Sequence, residues 1–258
     1  MSGKSSIEWT DAVWNFTVGC TRVRAGCDNC YAFAFHDRRH AIYQANHGHW
    51  SSGGGGQIMP AQYARPFSEI QVLPDRLIWP LRQKKPLRIF VNSVSDLFHS
   101  QIADEHIFAA FEVMRQAYWH TFQILTKRPG RLRKMASQLT WSRNIGIGVS
   151  IERDELTPRA DALRPLPAGF RFLSLEPLLG PLPSLDLTNI DWVITGGESG
   201  PGARPCDPDW VRAIRDRCQE NQVAFFHKQW GGRTPKSGGR LLDGRTWDEF
   251  PVFQQEVA

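Results

Sequence analysis

Three cysteines fall close together in this chain, at Cys20, Cys27 and Cys30, in the order C-x6-C-x2-C followed at once by Tyr31. Thiolates at such spacing are soft ligands for a transition metal or an iron–sulfur cluster. Gly19 and Gly26 give the loop freedom to wrap a small inorganic core. Three thiolates would fill three corners of a [4Fe–4S] cube and leave the fourth iron open to a ligand; the four-cysteine clusters of electron carriers have no such corner. Two simpler readings stay open: zinc held by the cysteines with a histidine such as His36, and three thiols with no ligand role. The chain has five cysteines, an odd number, with Cys206 and Cys218 far downstream. A disulfide framework fits that count poorly.

The elements that must position these residues can be read from apolar runs. Seven short runs rich in Ile, Val, Phe and Leu recur, at 14–19 (WNFTVG), 87–93 (LRIFVNS), 121–126 (TFQILT), 145–150 (IGIGVS), 170–175 (FRFLSL), 192–195 (WVIT) and 223–227 (VAFFH). Runs of this kind suit strands buried on both faces. Helical patterns lie between them. Residues 104–119 open with acidic residues and carry a spaced apolar stripe, and 208–221 open with Asp207 as cap and Pro208 in the first turn. Strand–helix alternation predicts parallel βαβ units and an α/β fold, a TIM-like parallel barrel or partial barrel of six to eight strands. We read 1–258 as a single barrel domain, 36–66 as an inserted loop or lid, and 231–258 as a C-terminal extension. The insertion holds four histidines and the run Gly53–Gly56 without clear periodicity.

Polar residues stand at the end of nearly every run: Cys20, then Ser93, Ser95 and Asp96, then Lys127 and Arg128, then Ser150 and Glu152, then Glu176, Glu198, and Lys228 with Gln229. In a parallel barrel such strand ends converge on one rim, where active sites form. The glycines Gly196 and Gly197 allow a ligand close approach to the backbone. The stretch 196–202 lacks the Gly-Lys-Ser/Thr ending of a phosphate loop.

At this point the sequence resembles a known superfamily. A cysteine-rich loop after the first strand of a part-barrel is similar to the radical S-adenosylmethionine superfamily. More narrowly, IEWTDAVWNFTVGC, GCDNCYA, SVSDLFH, LTKRP, SLEPLLGP, TGGESGPGARP and FFHKQWGG resemble an uncharacterised radical-SAM-like family of phages and bacteria, distantly like spore photoproduct lyase. The resemblance runs from about Ile7 to Gly232. It implies a [4Fe–4S] cluster on Cys20, Cys27 and Cys30, S-adenosylmethionine as cofactor, a reductase as electron donor and a 5′-deoxyadenosyl radical as the reactive species. It places Ser93, Ser95 and Asp96 at the methionine amino group, Lys127 at its carboxylate and Ser150 at the ribose. Glu176, Gly197 and Glu198 fall to cofactor or substrate contact, and Cys206 to hydrogen-atom donation. Two departures stand out. The usual first gap is three residues, and here it is six; the usual aromatic before the last cysteine is Asn29 here, with Tyr31 just after.

The net charge is +5 and the pI about 9.1. Basic residues gather at 82–88 and 127–134, and Trp50, Tyr43 and Tyr63 in the insertion are types that stack on bases. Together with the likeness to spore photoproduct lyase, these features make a nucleic acid or nucleotide the expected substrate. The competing readings are a zinc- or cluster-stabilised nucleic-acid-binding protein without catalysis, and a barrel that binds S-adenosylmethionine without turnover. No run of eighteen apolar residues occurs, and the opening residues lack a signal peptide's apolar stretch. The expectation is a cytoplasmic protein with no membrane partner.

Overall fold

The structure is a computed structural model that describes residues 2–50 and 57–251. Its strands are β1 (Gly3–Lys4), β2 (Ala12–Trp14), β3 (Thr17–Val18), β4 (Gln71–Val72), β5 (Arg88–Val91), β6 (Thr121–Thr126), β7 (Ile145–Ser150), β8 (Phe170–Leu175), β9 (Trp192–Gly196) and β10 (Ala224–Gln229). Its α-helices are α1 (Tyr31–Ala45), α2 (Trp79–Arg82), α3 (Asp104–Gln116), α4 (Pro129–Met135) and α5 (Pro208–Glu220). One sheet runs β1-β2-β5-β6-β7-β8-β9-β10. Every pairing from β2 onward is parallel, and β1 alone is antiparallel. The sheet curls into an open half-barrel, the α/β partial barrel that the alternation of runs implies.

Side-chain alternation along the strands builds two cores. On the outer face, Trp14, Ile89, Val91, Phe122, Ile124, Ile147, Val149, Leu173, Val193 and Phe225 pack with Ile107, Phe111 and Met114 of α3, Leu132 of α4 and Val211, Ile214 and Cys218 of α5. On the inner face Phe90, Phe170, Phe172, Trp192, Ile194 and Phe226 form a separate aromatic cluster with Trp9. The inner cluster explains the glycines of IGIGVS. A Cβ at Gly146 would lie 1.9 Å from the Phe170 ring, and one at Gly148 would lie 2.5 Å from the Phe172 ring. Bare backbone on β7 lets the β8 rings fold inward.

The first strand differs from its sequence reading. The barrel strand is Ala12–Trp14, and the chain then leaves the sheet, so that Thr17–Val18 pairs with β4 in a separate antiparallel ribbon. Val18 is buried against Ala32, Phe33 and Phe67, and that second apolar cluster draws the run away from the barrel. Within 36–66, helix α1 continues to Ala45 and a 3-10 turn spans Ala61–Ala64. The Gly53–Gly56 run lies outside the described residues. Among the described residues no helix is long and apolar enough to cross a membrane.

The glycine argument is testable. Gly146→Ala overpacks the inner cluster and lowers unfolding free energy by about 1–3 kcal/mol in urea titration. Gly130→Ala in α4 meets nothing within 4 Å and raises it by roughly 0.5–1 kcal/mol.

Candidate functional site

The inner face changes character at its C-terminal mouth. Below lie the aromatics; above stand Ser150 and Glu152, Ser174 and Glu176, Lys127 and Lys228. Glu152 is 1% exposed. Its two oxygens accept from Lys127 Nζ and, at 3.0 Å, from Arg159 Nη1. Arg159 also donates to the Ser150 carbonyl, at 2.5 Å. Arg159 comes from the 3-10 stretch Asp154–Ala162, whose sequence has no clear periodicity, and nothing in the spacing marks it.

Asp96 is also buried and saturated. One oxygen accepts from Thr126 Oγ1 at 2.7 Å and Phe98 N at 3.0 Å; the other accepts from Lys127 N and Arg128 Nη1, both at 3.0 Å. Glu198 accepts from Asn29 Nδ2 at 2.8 Å and from Arg204 Nη2 at 2.6 Å. Burial alone would raise the Glu198 carboxyl, but the Arg204 and Asn29 hydrogen bonds outweigh it and hold the group below its ordinary value. Ser93 Oγ exchanges hydrogen bonds with the Asn15 amide, and Ser95 Oγ lies 2.7 Å from Thr17 Oγ1. The Tyr31 ring is exposed, but its hydroxyl is tucked in and donates to the Ser93 carbonyl at 2.5 Å. Burial of that hydroxyl, with Cys30 and Glu176 nearby, pushes the phenol above its ordinary value.

Glu176 and Lys228 meet at 3.0 Å although one directly follows β8 and the other lies in β10, with β9 between those strands. Two backbone features allow it. A Cβ at Gly196 on β9 would lie 2.8 Å from Glu176 Oε1, so the pair reaches over a bare strand. The β9–β10 register shifts between His227 and Gln229, which leaves Lys228 as the extra residue of a bulge, and bulges re-aim side chains.

The cysteine loop lies across this mouth, pinned on both sides. Arg128 Nη2 donates to the Thr21 carbonyl and Oγ1, each at 3.0 Å, and Arg204 Nη2 donates to the Ala25 carbonyl at 2.9 Å. Next to the second pin, a Cβ at Gly26 would sit 2.5 Å from Glu152 Oε1. These anchors hold the three cysteines in different settings. Cys20 Sγ donates weakly to the Thr21 carbonyl at 3.5 Å and accepts from Arg128 at 3.8 Å; Cys27 is buried in a 3-10 turn; Cys30 is the N-cap of α1. Cys20 and Cys30 pack in part against the Val18–Phe67 apolar cluster. Burial, only partly offset by Arg128, raises the Cys20 thiol to about 11.

Among the described residues no group of three or more His, Cys, Asp or Glu side chains could hold a metal ion. This overturns the expected [4Fe–4S] cluster, and with it the S-adenosylmethionine expected beside it. The rim groups expected to hold that cofactor are already engaged: Asp96 with Arg128, and Lys127 with Glu152. Cys206 packs against the outer core beside Gly197, 3.2 Å from where a Cβ there would stand, and burial raises its thiol to about 11. His36 lies apart from the cysteines in contact with Tyr63 and Phe67.

A cavity of about 440 Å³ opens between the cysteine loop and the segment that follows β7. Val23, Leu156 and Leu179 form its apolar wall, and Arg24, Arg153, Glu155 and the paired Glu152 bring charge to it. Arg24 and Arg153 are exposed, and their side chains pair with no carboxylate among the described residues. Asn92, at the end of β5, escaped the sequence reading altogether; it is 2% exposed, its φ is 60°, and neither atom of its side-chain amide has a partner among the described residues. On the far face of β10, His227 is fully buried with Nδ1 at 2.9 Å from Thr195 Oγ1. Burial, then the nearby Arg240 charge, lowers it to about 4.

A family model described as "Protein of unknown function (DUF5131)" matches residues 4–251. Among curated protein sequences none matches. A solved structure of spore photoproduct lyase complexed with dinucleoside spore photoproduct is similar over 85% of this chain and 64% of that one, at 11% identity and a TM-score of 0.49. The chain thus spans less than two thirds of the length of that structure.

Two outcomes follow from the geometry. Unfolded chains take up a proton on His227 near its ordinary value while the folded protein does not. Stability is therefore full above about pH 6.5 and falls toward pH 4, by about 3 kcal/mol in urea midpoints measured across that window. His227→Asn, which keeps a donor toward Thr195, flattens this dependence. Separately, Gly196→Ala displaces the Glu176 carboxylate and parts it from Lys228; a crystal structure of the variant would show the separation, with thermal stability lowered by no more than about 1 kcal/mol.

Proposed function

This chain belongs to the DUF5131 family, and we propose that it is an enzyme acting on a nucleotide or nucleic-acid substrate at the strand-end mouth of its half-barrel. The observation that carries this reading is Asn92. A non-glycine residue held in the left-handed region costs about 1–3 kcal/mol at a constrained site, and a buried amide with no partner adds a penalty of about 1–3 kcal/mol. The backbone of Asn92 closes the β2–β5 pairing through its N–H to the Trp14 carbonyl at 2.8 Å and opens the turn to Ser95, but its side-chain amide takes no part in either. A carboxamide offers donors and an acceptor together, the complement of a base edge or a sugar hydroxyl. Gln123 Oε1 on neighbouring β6 is likewise buried without a partner among the described residues.

The charges at the mouth divide into two sets. Asp96, Glu152 and Glu198 are saturated, and their work is positional: they fix Arg128, Lys127, Arg159, Arg204 and the loop that these anchor. Glu176 and Lys228 have each other and the Ser174 hydroxyl at 3.3 Å. On the inner face at the mouth, that pair is the one suited to move a proton to or from a bound substrate. Arg24 and Arg153 beside the larger cavity suit a phosphate, which a guanidinium can grip with two hydrogen bonds. Parallel barrels place their chemistry at this end of the strands, an analogy of fold that supports the location and not the reaction.

The test joins binding to stability. Asn92→Gly relieves the backbone strain, so the variant unfolds at higher urea by roughly 1 kcal/mol while its affinity for single-stranded oligonucleotide or mononucleotide drops about tenfold or more. Equal affinity in parent and variant would falsify the assignment of Asn92. Mass spectrometry of the nucleic acid after incubation decides catalysis: a Lys228→Ala variant that binds but no longer alters it is the expected result. Tight binding by the parent with every nucleotide left intact would make the chain a binding protein instead.

A further inference from the structure

A second cavity, about 210 Å³, lies against α1 and the turn Ala61–Ala64. Phe35, Tyr63 and Phe67 wall it, and Asn15 and Ser93 from the ends of β2 and β5 also line it, so it adjoins the mouth. It is smaller than drug-sized pockets, which start near about 300 Å³. Its polar groups are specific. Gln62 is 5% exposed, and its Oε1 has no partner among the described residues. The His36 ring is 2% exposed and Nε2 lies 2.9 Å from the Arg65 carbonyl, which can only accept; Nε2 therefore carries the proton and Nδ1 is an acceptor. Burial lowers His36, which keeps it neutral near pH 7. Arg39 is held by the Tyr63 hydroxyl at 2.9 Å, with its guanidinium 3.6 Å from the Phe35 ring centre. Among the described residues no carboxylate lines this cavity, and Arg39 is the one full charge there.

Two acceptors, flat aromatic walls and a planar cation describe a particular guest. A cationic ligand would meet Arg39 with no counter-charge. An aliphatic one would leave Gln62 Oε1 unpaired. A planar heterocycle with N–H donors answers every wall at once: it stacks on the Arg39 guanidinium, which itself lies on the Phe35 ring, and donates to Gln62. We infer that this cavity takes the base of the nucleotide substrate and selects bases that carry an exocyclic amino group. The inference rests on the nucleotide reading of the mouth, and it adds the part of the substrate that confers selectivity. Adenine and cytosine offer an amino donor here. Thymine presents only a ring N–H between two carbonyls, and those carbonyls would face the two acceptors.

The experiment measures equilibrium binding of short single-stranded oligo-dA, oligo-dC, oligo-dT and an abasic strand of equal length, at one fixed salt concentration. The parent is expected to bind oligo-dA and oligo-dC about tenfold tighter than oligo-dT. Gln62→Met keeps the side-chain length and removes the acceptor; it brings that ratio to within about threefold, with abasic affinity unchanged. Phe35→Ala, at a position that is 39% exposed and so tolerant of truncation, weakens all base-bearing strands toward the abasic level. Should base-bearing and abasic strands bind the parent equally, or should the amino preference survive both substitutions, the cavity does not read the base, and the inference falls while the nucleotide reading of the mouth stands. Should the parent bind none of the strands, both fall together.

Discussion

Glu152 lies almost wholly out of water with Lys127 on one oxygen and Arg159 on the other, and the mouth of the half-barrel is built around that arrangement and its neighbours. A carboxylate removed from solvent needs a cation and a full set of donors, and the effective penalty for an unpaired one is several kcal/mol. Parallel strands bring Asp96, Glu152, Glu176 and Glu198 to one end of the sheet, and each must be answered there. The answers come from different elements: Arg128 follows β6, Arg159 sits in the 3-10 stretch after β7, Lys228 bulges from β10 and Arg204 returns from the loop after β9. Neutralisation thereby fixes the relative positions of strands and loops. Such pairs are weak contributors to net stability compared with apolar packing, which is why their concentration at one rim points to use.

The cysteine loop shows the same constraint from the other side. Its path is set by Arg128 at Thr21, by Glu152 beneath Gly26 and by the Glu198–Arg204 pair at Asn29 and Ala25. The loop is stretched between anchors, and its sulfurs follow the local turns. Spacing in sequence cannot reveal this, because C-x6-C-x2-C fixes how far apart three thiols can be and says nothing about where a 3-10 turn and a helix start will aim them.

Much of the framework was legible. Six of the seven apolar runs became barrel strands within a residue or two, since a strand buried on both faces leaves a strong signature, and helices α3 and α5 began at the expected residues, where acidic first turns or Asp207-Pro208 mark an N-terminus. The run 14–19 misled because Val18 serves a second, smaller apolar cluster, and an apolar residue does not announce which core it joins. At the rim, Asp96, Lys127, Ser150, Glu176 and Glu198 were legible as strand-end positions, but their partners were not. Lys127 was read as free to receive a carboxylate, and it is held by one of the protein's own. Asn92 was invisible for a different reason: its distinction lies in a backbone angle and a side-chain amide without a partner among the described residues, neither of which a residue type encodes.

The half-barrel also does not close, and β1 and β10 form its two margins. On the β10 side the residues around Asp248 run antiparallel to the strand: His227 N donates to the Trp247 carbonyl at 2.9 Å and Glu249 N to the Phe225 carbonyl at 3.2 Å. On the opposite margin β1 is two residues long and reversed in direction. An exposed run of unpaired amides invites a stray strand from another molecule. Here one border is hemmed by the chain's own returning segment and the other is too short to template an intruder, so an incomplete cylinder can persist without recruiting copies of itself into a continuous sheet.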